Sequence, residues 1–142
     1  MGYLVAVCTG RRATVKRCKA RGYLELEVGV RGDQGSGEVS LLAMEQIERA
    51  NRQLGLAAAP GSFGEHLTVA GIDLRALSIR TLLRIGDTTV LQIVRRGIPP
   101  GSYVAYSYQG YPLLAVHGVF CQILRGGHVE KGDAVEVIES AP

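Results

Sequence analysis

The stretch R-I-G-D-T-T-V-L-Q-I-V, residues 84–94, decides the fold class of this chain. Its Gly-Asp pair separates two candidate strands, residues 82–85 and 89–94. Turns between paired strands favour such residues because they require positive φ angles. A second stretch, E-K-G-D-A-V-E-V-I at residues 130–138, has the same arrangement before the candidate strand 134–138. We therefore predict a β-hairpin at both places.

Other short apolar or alternating runs, separated by glycine-rich turns, also indicate strands. Residues 23–30 alternate cleanly and predict one half-buried strand. Its apolar face consists of Leu24, Leu26, Val28 and Val30. The remaining candidate strands are residues 3–8, 67–69, 103–108 and 119–124.

One helix is predicted, at residues 41–54. Ser40 can cap its start and Gly55 its end. Its apolar stripe consists of Ala43, Ile47, Ala50 and Leu54, which follow helical spacing. A single helix among many short strands predicts a mainly-β barrel or sandwich. A length of 142 residues predicts a single domain, residues 1–142.

The composition, 46% hydrophobic and 20% charged, is that of a globular domain. No apolar run approaches the roughly 20 residues that a membrane helix needs. Cys8, Cys18 and Cys121 are widely spaced, and no Cys-x-x-Cys pair is present. An odd number of cysteines without ligand spacing predicts reduced thiols in a cytoplasmic protein. The three histidines are equally scattered, so no metal site is predicted.

The net charge of +3 is unevenly distributed. Residues 1–32 carry seven basic side chains against two acidic ones, and the basic ones cluster in residues 11–21. Such a cluster fits a phosphate, a nucleic acid or an acidic partner, or else a solvated loop. The segment contains no aromatic residue to stack a base, and no helix-turn-helix pattern follows it. Nucleic acid is therefore the weaker alternative.

Five blocks of sequence carry a family resemblance. In chain order they read G-V-R-G-D, V-S-L-L-A-M-E-Q-I, P-G-S-F-G-E-H-L-T-V-A-G-I-D-L, L-R-I-G-D and G-V-F-C-Q-I-L-R-G-G-H-V-E-K-G-D-A-V-E-V. This order closely resembles the MOSC domain, named after the C-terminal part of molybdenum cofactor sulfurase. The resemblance extends over residues 5–138 and is most specific at residues 63–74 and 118–137.

The resemblance implies a compact MOSC-type β-barrel of short antiparallel strands with one main helix. It also implies several functions. Some members, such as the mitochondrial amidoxime-reducing component, bind molybdenum cofactor and reduce N-hydroxylated substrates. Small stand-alone bacterial members resemble proteins that protect against N-hydroxylated purines, and sulfurase domains are thought to carry sulfur. Binding of molybdenum ion and of pyridoxal phosphate are further properties that the resemblance suggests. Most of these roles use one cysteine, whose thiolate is a soft metal ligand and the reactive form for sulfur transfer.

This chain departs from the family pattern at the residues closest to that chemistry. In relatives the cysteine follows the strand equivalent to residues 91–94, whereas here that position falls on Pro100, within R-R-G-I-P-P-G-S. Relatives often read Gly-Asp-x-His-Ala-Gly. Here Gly32 and Asp33 remain, but a shorter Gln-Gly-Ser-Gly replaces the rest. His66 stands where relatives commonly have Asn.

Candidate binding residues follow from the resemblance and from the charges. Basic residues of the early loop contact the pterin phosphate in relatives, which points to Arg11 or Lys16. The pair Glu65 and His66 either faces a pocket or ties its loop to the barrel. Two arginines beside the expected pocket offer guanidinium donors suited to an oxyanion. The predicted cofactor-binding residues are therefore Arg11, Lys16, Asp33, Glu65, His66, Arg95 and Arg96; none is assigned as catalytic or as a metal ligand.

Two cysteines remain as substitutes for the missing family thiol. Cys121 lies in an apolar strand, where a free cysteine is most often a small buried hydrophobe. Cys18 is surrounded by Lys16, Arg17, Lys19 and Arg21, and neighbouring positive charge favours thiolate. Either residue could carry sulfur or act in its place.

The sequence thus favours a divergent MOSC-domain protein that binds an anionic, molybdopterin-like cofactor or metabolite, or a protein partner in cofactor handling. The alternative is a sulfur carrier, or a molybdenum-dependent reductase of N-hydroxylated compounds, that uses Cys121 or Cys18. A lesser alternative is a nucleic-acid contact through residues 11–21. A homodimer is compatible with the sequence, and a membrane is not expected.

Overall fold

A computed structural model describes residues 2–10, 15–33, 37–97 and 108–139 of the chain. The strands in these ranges are β1 (Gly2–Thr9), β2 (Arg17–Lys19), β3 (Arg21–Glu25), β4 (Gly29–Val30), β5 (Val39–Ala43), β6 (Leu67–Ala70), β7 (Leu82–Ile85), β8 (Thr89–Arg96), β9 (Val119–Arg125), β10 (Gly127–Glu130) and β11 (Ala134–Glu139). The helices are α1 (Met44–Leu54) and α2 (Leu113–His117), and Leu74–Ala76 forms a 3-10 turn. No helix in the described ranges is long and apolar enough to span a membrane.

Seven strands form a closed barrel in the order β11-β7-β8-β9-β5-β6-β1. The barrel closes because β1 also pairs with β11, at Gly2↔Val135 and Tyr3↔Ala134. Neighbouring strands are antiparallel except β5 and β6, which are parallel. Parallel neighbours need a long crossover, and α1 with the loop that follows it provides this connection. The prediction of a compact, mainly-β barrel with one main helix is confirmed.

Three strands form a second, smaller sheet in the order β10-β3-β4. Residues 23–30, predicted as one strand, are in fact the two arms of a tight hairpin. The chain turns at Glu27, which adopts a positive φ of 65°. Leu24 and Val30 are buried as expected, but Leu26 and Val28 are about half exposed. The alternation therefore continues through the turn without marking a continuous buried face.

Of the two predicted hairpins, one is confirmed and one is wrong. β7 and β8 pair directly around Gly86, which has a positive φ of 64°. Gly132 also has a positive φ, of 95°, but the strands that it separates do not pair with each other. β10 pairs with β3, whereas β11 pairs with β7 and β1. The Gly-Asp turn at Gly86 thus closes a hairpin, whereas the Gly-Asp turn at Gly132 connects a strand of the small sheet to a strand of the barrel.

The main helix is shorter than predicted. It begins at Met44, and residues 39–43 form β5 instead. All five residues of β5 are buried, and the strand pairs with β9 on one side and β6 on the other. This pairing overrides the local helical pattern, so Ser40 is a strand residue and caps nothing. The predicted end is confirmed, since Gly55 adopts a left-handed φ of 66°.

The barrel wall separates two apolar clusters. The interior is filled by side chains such as Leu41, Leu67, Leu91, Cys121 and Val135. The outer cluster packs α1, α2 and the loop before β6 against the barrel, with Leu42, Ile47, Phe63, Leu114 and Phe120 at its centre. Residues 103–107 of the predicted strand 103–108 lie outside the described ranges. Tyr108 itself forms an isolated bridge with Tyr111.

Candidate functional site

A polar cluster lies where β5 and β6 begin. Asp33 stands at its centre, and His66 Nε2 lies 2.8 Å from Asp33 Oδ2. The other carboxylate oxygen, Oδ1, accepts from Lys16 Nζ at 3.3 Å and from the backbone N–H of Gly10 at 3.0 Å. Ser40 supports His66 from behind. We call Gly10, Lys16, Asp33, Ser40 and His66 the Asp33 cluster.

The fold brings this cluster together from distant parts of the chain. Lys16 directly precedes β2, and its backbone N–H donates to the carbonyl of Gly61. Asp33 ends the turn that follows β4, where its own N–H donates to the carbonyl of Val30. Ser40 faces outward from the barrel, because its neighbours on β5, Val39 and Leu41, both pack inside it. The cluster is therefore attached to the outer side of the barrel wall.

The hydrogen bonds assign the tautomer of His66. The backbone N–H of Ser40 donates to His66 Nδ1 at 3.0 Å, so Nδ1 must be the acceptor. The ring proton is consequently on Nε2, which donates it to Asp33. Both ring nitrogens are thus bonded within the protein. The Asp33–His66 pair has the composition of an acid–base dyad, but it presents no ring nitrogen to a substrate.

The carboxylate of Asp33 is buried, with only 4% of its side chain exposed. Burial by itself raises the pKa of this group. The hydrogen bond from His66, the positive charge that His66 carries when it is protonated, the N–H of Gly10 and the ammonium of Lys16 outweigh that effect and lower the pKa of Asp33 to about 2. Lys16, with 1% of its side chain exposed, is equally enclosed. The cluster therefore holds an ionised carboxylate among donors from three separate segments.

Glu65 is next to His66 in the chain but belongs to a different network. Its Oε2 accepts from the backbone N–H of Gly61 at 3.0 Å and from Thr68 Oγ1 at 2.8 Å. Its Oε1 is buried, and none of the residues that the structure describes donates a hydrogen bond to it. Burial raises the pKa of this carboxyl, and the interactions with Gly61, Thr68 and the backbone of Glu65 and Phe63 only partly oppose that rise. The contacts support the interpretation that Glu65 ties its loop to the barrel.

Gly61 links the loop of Glu65 to the strand that carries Lys16. Its φ is +86°, a conformation that side chains disfavour. A β-carbon at this position would lie 2.5 Å from the carbonyl oxygen of Lys16 and 2.7 Å from Cys18 Sγ. The close approach of the two segments therefore requires glycine.

The structure separates the two predicted arginines. Arg95 Nη2 donates to Glu38 Oε1 at 2.6 Å, and its guanidinium lies 4.4 Å from the centre of the Phe120 ring. Arg95 Nε is buried and has no hydrogen-bond partner among the described residues. Arg96, by contrast, donates to the backbone carbonyl of Arg75 on another part of the surface.

Strand register relates Arg95 to the Asp33 cluster. Arg95 is opposite Phe120 on β9, and Phe120 is opposite Ser40 on β5. Arg95 and Ser40 are thus two strand spacings apart, about 10 Å. Of the predicted residues, Lys16, Asp33 and His66 come together, and Arg95 lies near them. Glu65 and Arg96 make separate contacts.

Three of the sequence-based interpretations fall outside the described residues. Arg11 is one of them, as is Pro100, the position of the family cysteine. The replaced Gln-Gly-Ser part of the loop after Asp33 is the third. The described residues that border these segments are Gly10 and Val15, Asp33 and Gly37, and Gly97 and Tyr108.

The prediction of three reduced thiols is wrong. Cys8 and Cys18 are opposite each other on the antiparallel pair β1–β2, with their Cα atoms 3.9 Å apart, and they form a disulfide. Cys8 and Cys18 are ten residues apart in the chain, and only the pairing of β1 with β2 brings them together, so the sequence does not reveal this disulfide. The surrounding basic residues therefore do not activate a free thiol at Cys18. Cys121 is free and fully buried inside the barrel, where burial raises its thiol pKa well above the usual range.

Sequence reasoning missed three residues of the site. The sequence predicts Ser40 as a helix cap, whereas in the structure its backbone N–H orients the ring of His66. Gly10 contributes only its backbone N–H, for which a sequence has no signal. Glu38 pairs with Arg95 across 57 residues of chain. In the described part of the chain, no group of three or more His, Cys, Asp or Glu residues is arranged to hold a metal ion.

Comparisons with known proteins agree with this architecture. The family model for the MOSC domain matches residues 32–136. YiiM from Geobacillus stearothermophilus superposes with a TM-score of 0.74 at 14% identity, covering 98% of this chain and 76% of that one. The YuaD protein from Bacillus subtilis gives 0.73 at 19% identity, with coverages of 100% and 98%. YiiM from Escherichia coli gives 0.69 at 22% identity, with coverages of 99% and 71%.

At these identities the structural likeness concerns the fold alone. No curated protein matches the chain. The family model, however, covers well over half of the sequence, and its matched range begins before β5 and ends within β11. The chain belongs to the MOSC domain family.

Proposed function

We propose that this protein is a MOSC-type binding module for a small anionic ligand, molybdopterin-like or otherwise phosphorylated, and that it works without a family thiol. The observation that carries the proposal is the set of donors around Asp33. An ammonium, an imidazole N–H and a backbone N–H from three segments converge on one pair of oxygens. Such a set is suited to an anionic oxygen of any origin.

In this structure the chain's own carboxylate occupies those donors. The depressed pKa of Asp33 indicates that they stabilise negative charge strongly. A ligand oxyanion would compete with the carboxylate of Asp33 for the same N–H groups. The negative charge of Asp33 would then oppose the ligand, so removing that charge should tighten binding.

Arg95 provides the second element of the proposed site. Its Nε is a buried donor that no group in the described part of the chain satisfies, and such groups are rare in folded proteins because they carry a desolvation penalty. A ligand oxygen would satisfy it. The spacing of about 10 Å between Arg95 and Ser40, two strand separations, suits a ligand with a phosphate at one end and polar atoms at the other.

The described residues fit the anionic part of a cofactor better than they fit a metal. A molybdenum centre in this family needs a thiolate, but Cys121 is enclosed in the barrel and Cys18 is in a disulfide. The phosphate of a pterin or of pyridoxal phosphate needs only the donors already named. We therefore assign no chemical step to a bound metal, and the donors around Asp33 and Arg95 would orient such a phosphate.

The same facts weigh against a sulfur carrier or a reductase that uses either cysteine. Sulfur transfer needs an accessible thiolate, and Cys121 is neither exposed nor easily ionised. A cofactor-handling protein as partner stays compatible with the proposal, because such a protein would deliver or receive the same ligand.

The test is calorimetric titration with inorganic phosphate, pyridoxal phosphate and a phosphorylated pterin. We expect saturable binding that Arg95→Gln weakens by about 10-fold to 100-fold, the range for a hydrogen bond to a charged group. Asp33→Asn should tighten binding by about tenfold or more, because it removes an opposing charge at short range. These opposite signs separate loss of a donor from general damage to the fold.

Arg84→Gln is the matched control. Arg84 pairs with Glu136 at 2.8 Å and is 41% exposed, whereas Arg95 pairs with Glu38 at 2.6 Å and is 43% exposed. The control should bind anions like the wild type. The proposal fails if none of the three anions binds saturably, or if both arginine variants have equal effects. Stoichiometric molybdenum held through a cysteine would also overturn it.

A further inference from the structure

A further groove combines positive charge with aromatic rings. It lies between β2 and the small sheet and has a volume of about 470 Å³. Lys19, Arg21 and Arg31 line it together with Tyr23 and His128. None of the described lining residues is acidic, and neither Lys16 nor Asp33 contributes to the lining.

The aromatic part of the groove is built by strand pairing. Tyr23 on β3 is opposite His128 on β10, and their rings meet edge to face with centroids 4.7 Å apart. The guanidinium of Arg31 lies 4.2 Å from the centre of the Tyr23 ring. His128 is exposed. Imidazole rings and guanidinium planes are the surfaces on which unpaired nucleobases stack.

The cations of the groove are not neutralised within it. Arg21 pairs with Glu130 at 3.2 Å and Arg31 pairs with Glu25 at 2.8 Å, and all four side chains are at least 40% exposed. Exposed pairs of this kind are weak and yield easily to a competing anion. No described residue forms an ion pair with Lys19, which is opposite Val7 on β1.

A neighbouring groove has a different charge pattern. It is larger, about 960 Å³, and also contains Arg21 and His128. Four acidic side chains line it as well: Asp87, Glu130, Asp133 and Glu136. A phosphate would be repelled there, whereas no acidic side chain is among the described residues that line the smaller groove.

We infer that the smaller groove binds a nucleotide, with the phosphate at Lys19 and Arg21 and the base stacked on His128, beside the Arg31–Tyr23 pair. The basic segment of the sequence contains no aromatic residue, which made nucleic acid the weaker alternative there. The fold supplies the missing rings from β3 and β10. A free mononucleotide and a nucleotide within a single strand present the same base and phosphate to this groove.

The test compares adenosine monophosphate, a short single-stranded oligo(dA) and ribose 5-phosphate, which lacks a base. We expect the first two to bind more tightly than ribose 5-phosphate. His128→Leu should weaken both by about 5-fold to 100-fold, the effect of losing one base stack, and leave ribose 5-phosphate unchanged. Lys19→Gln should weaken all three.

Arg52→Gln is the control, since it removes an exposed cation from α1, which does not line the groove. Similar affinities for the mononucleotide and the oligonucleotide would identify a free nucleotide as the ligand. Much tighter oligonucleotide binding with a steeper salt dependence would identify a single strand. The inference is overturned if ribose 5-phosphate binds as tightly as the nucleotides, or if His128→Leu changes nothing. His128 and Lys19 are both exposed, so neither substitution threatens folding.

Discussion

Removing the disulfide between Cys8 and Cys18 should destabilise the protein by an amount that its short loop sets. The two cysteines are ten residues apart in the chain. In the chain-entropy description, cross-linking a loop of this length stabilises the folded state by about 2.7 kcal/mol at 25 °C. For a domain of this size each kcal/mol corresponds to about 2–4 °C in Tm. Cys18→Ser should therefore lower Tm by about 5–11 °C.

The assay is thermal unfolding followed by circular dichroism, with and without a reducing agent. Reduction should lower the Tm of the wild type to the value of Cys18→Ser and should leave that variant unchanged. Alkylation of the unfolded, unreduced protein followed by intact-mass measurement counts the free thiols. We expect one modified cysteine, Cys121, because the other two are bonded to each other.

The reasoning is refuted if the unreduced protein shows three alkylated thiols, since the pairing would then not exist in solution. It is also refuted if a reducing agent leaves the wild-type Tm unchanged. A loss confined to Cys18→Ser, without any effect of reduction on the wild type, would mean that the serine disturbs packing next to Gly61.

Three further predictions concern the polar loops. The pKa of Asp33 is lowered on folding, so ionised Asp33 stabilises the folded state by about 2 kcal/mol. This stabilisation is present above the unfolded pKa near 4 and is lost as the pH falls toward 2. Urea unfolding between pH 4 and pH 2 should show this loss of stability in the wild type and not in Asp33→Asn. Gly61→Ala should reduce the free energy of unfolding by more than about 2 kcal/mol, because its new methyl group would clash with the segment of Lys16 and Cys18. Gly55→Ala has a positive φ but open space around it, and should reduce this free energy by only about 1 kcal/mol. Equal reductions for the two variants would contradict the prediction. Because burial raises the pKa of Glu65, its ionisation opposes folding above pH 4.5. Glu65→Gln should therefore unfold at a higher urea concentration than the wild type at pH 8. A lower midpoint would contradict this, because the carboxyl group would then stabilise the fold more than a neutral amide does.

The sequence predicts the barrel well because most of its strands are marked locally. The turn at Gly86 needs a positive φ, and apolar and polar residues alternate along the flanking strands. The hairpin can therefore be predicted from the sequence alone. The start of α1 is not visible in this way. Helical spacing at Ala43 and Ile47 is real, but pairing with β6 and β9 draws residues 39–43 into the barrel. That pairing depends on segments far away in the chain.

In the candidate site, too, the sequence predicts local features and misses the contacts between distant segments. Lys16, Asp33 and His66 could be identified as polar residues in suggestive places, but their convergence depends on the fold. The pairing of Cys8 with Cys18 depends on the register of β1 and β2. Ser40 was given the wrong role because serine before an apolar helical stripe is a common cap. Residue type was informative wherever the chemistry was local, and insufficient wherever two strands had to meet.

The pairing that closes the barrel has a consequence for how the chain folds. β1 shares one edge between β11 and β2, while its other edge pairs with β6. Gly2 meets Val135, so this contact joins residues more than a hundred positions apart. During synthesis, the part of that edge that receives β11 stays unpaired until β11 has left the ribosome, and such non-local closure is slow. β2 follows β1 after only a few residues, so it can pair with the rest of this β1 edge early. That pairing limits the backbone of β1 that a second nascent chain could pair with.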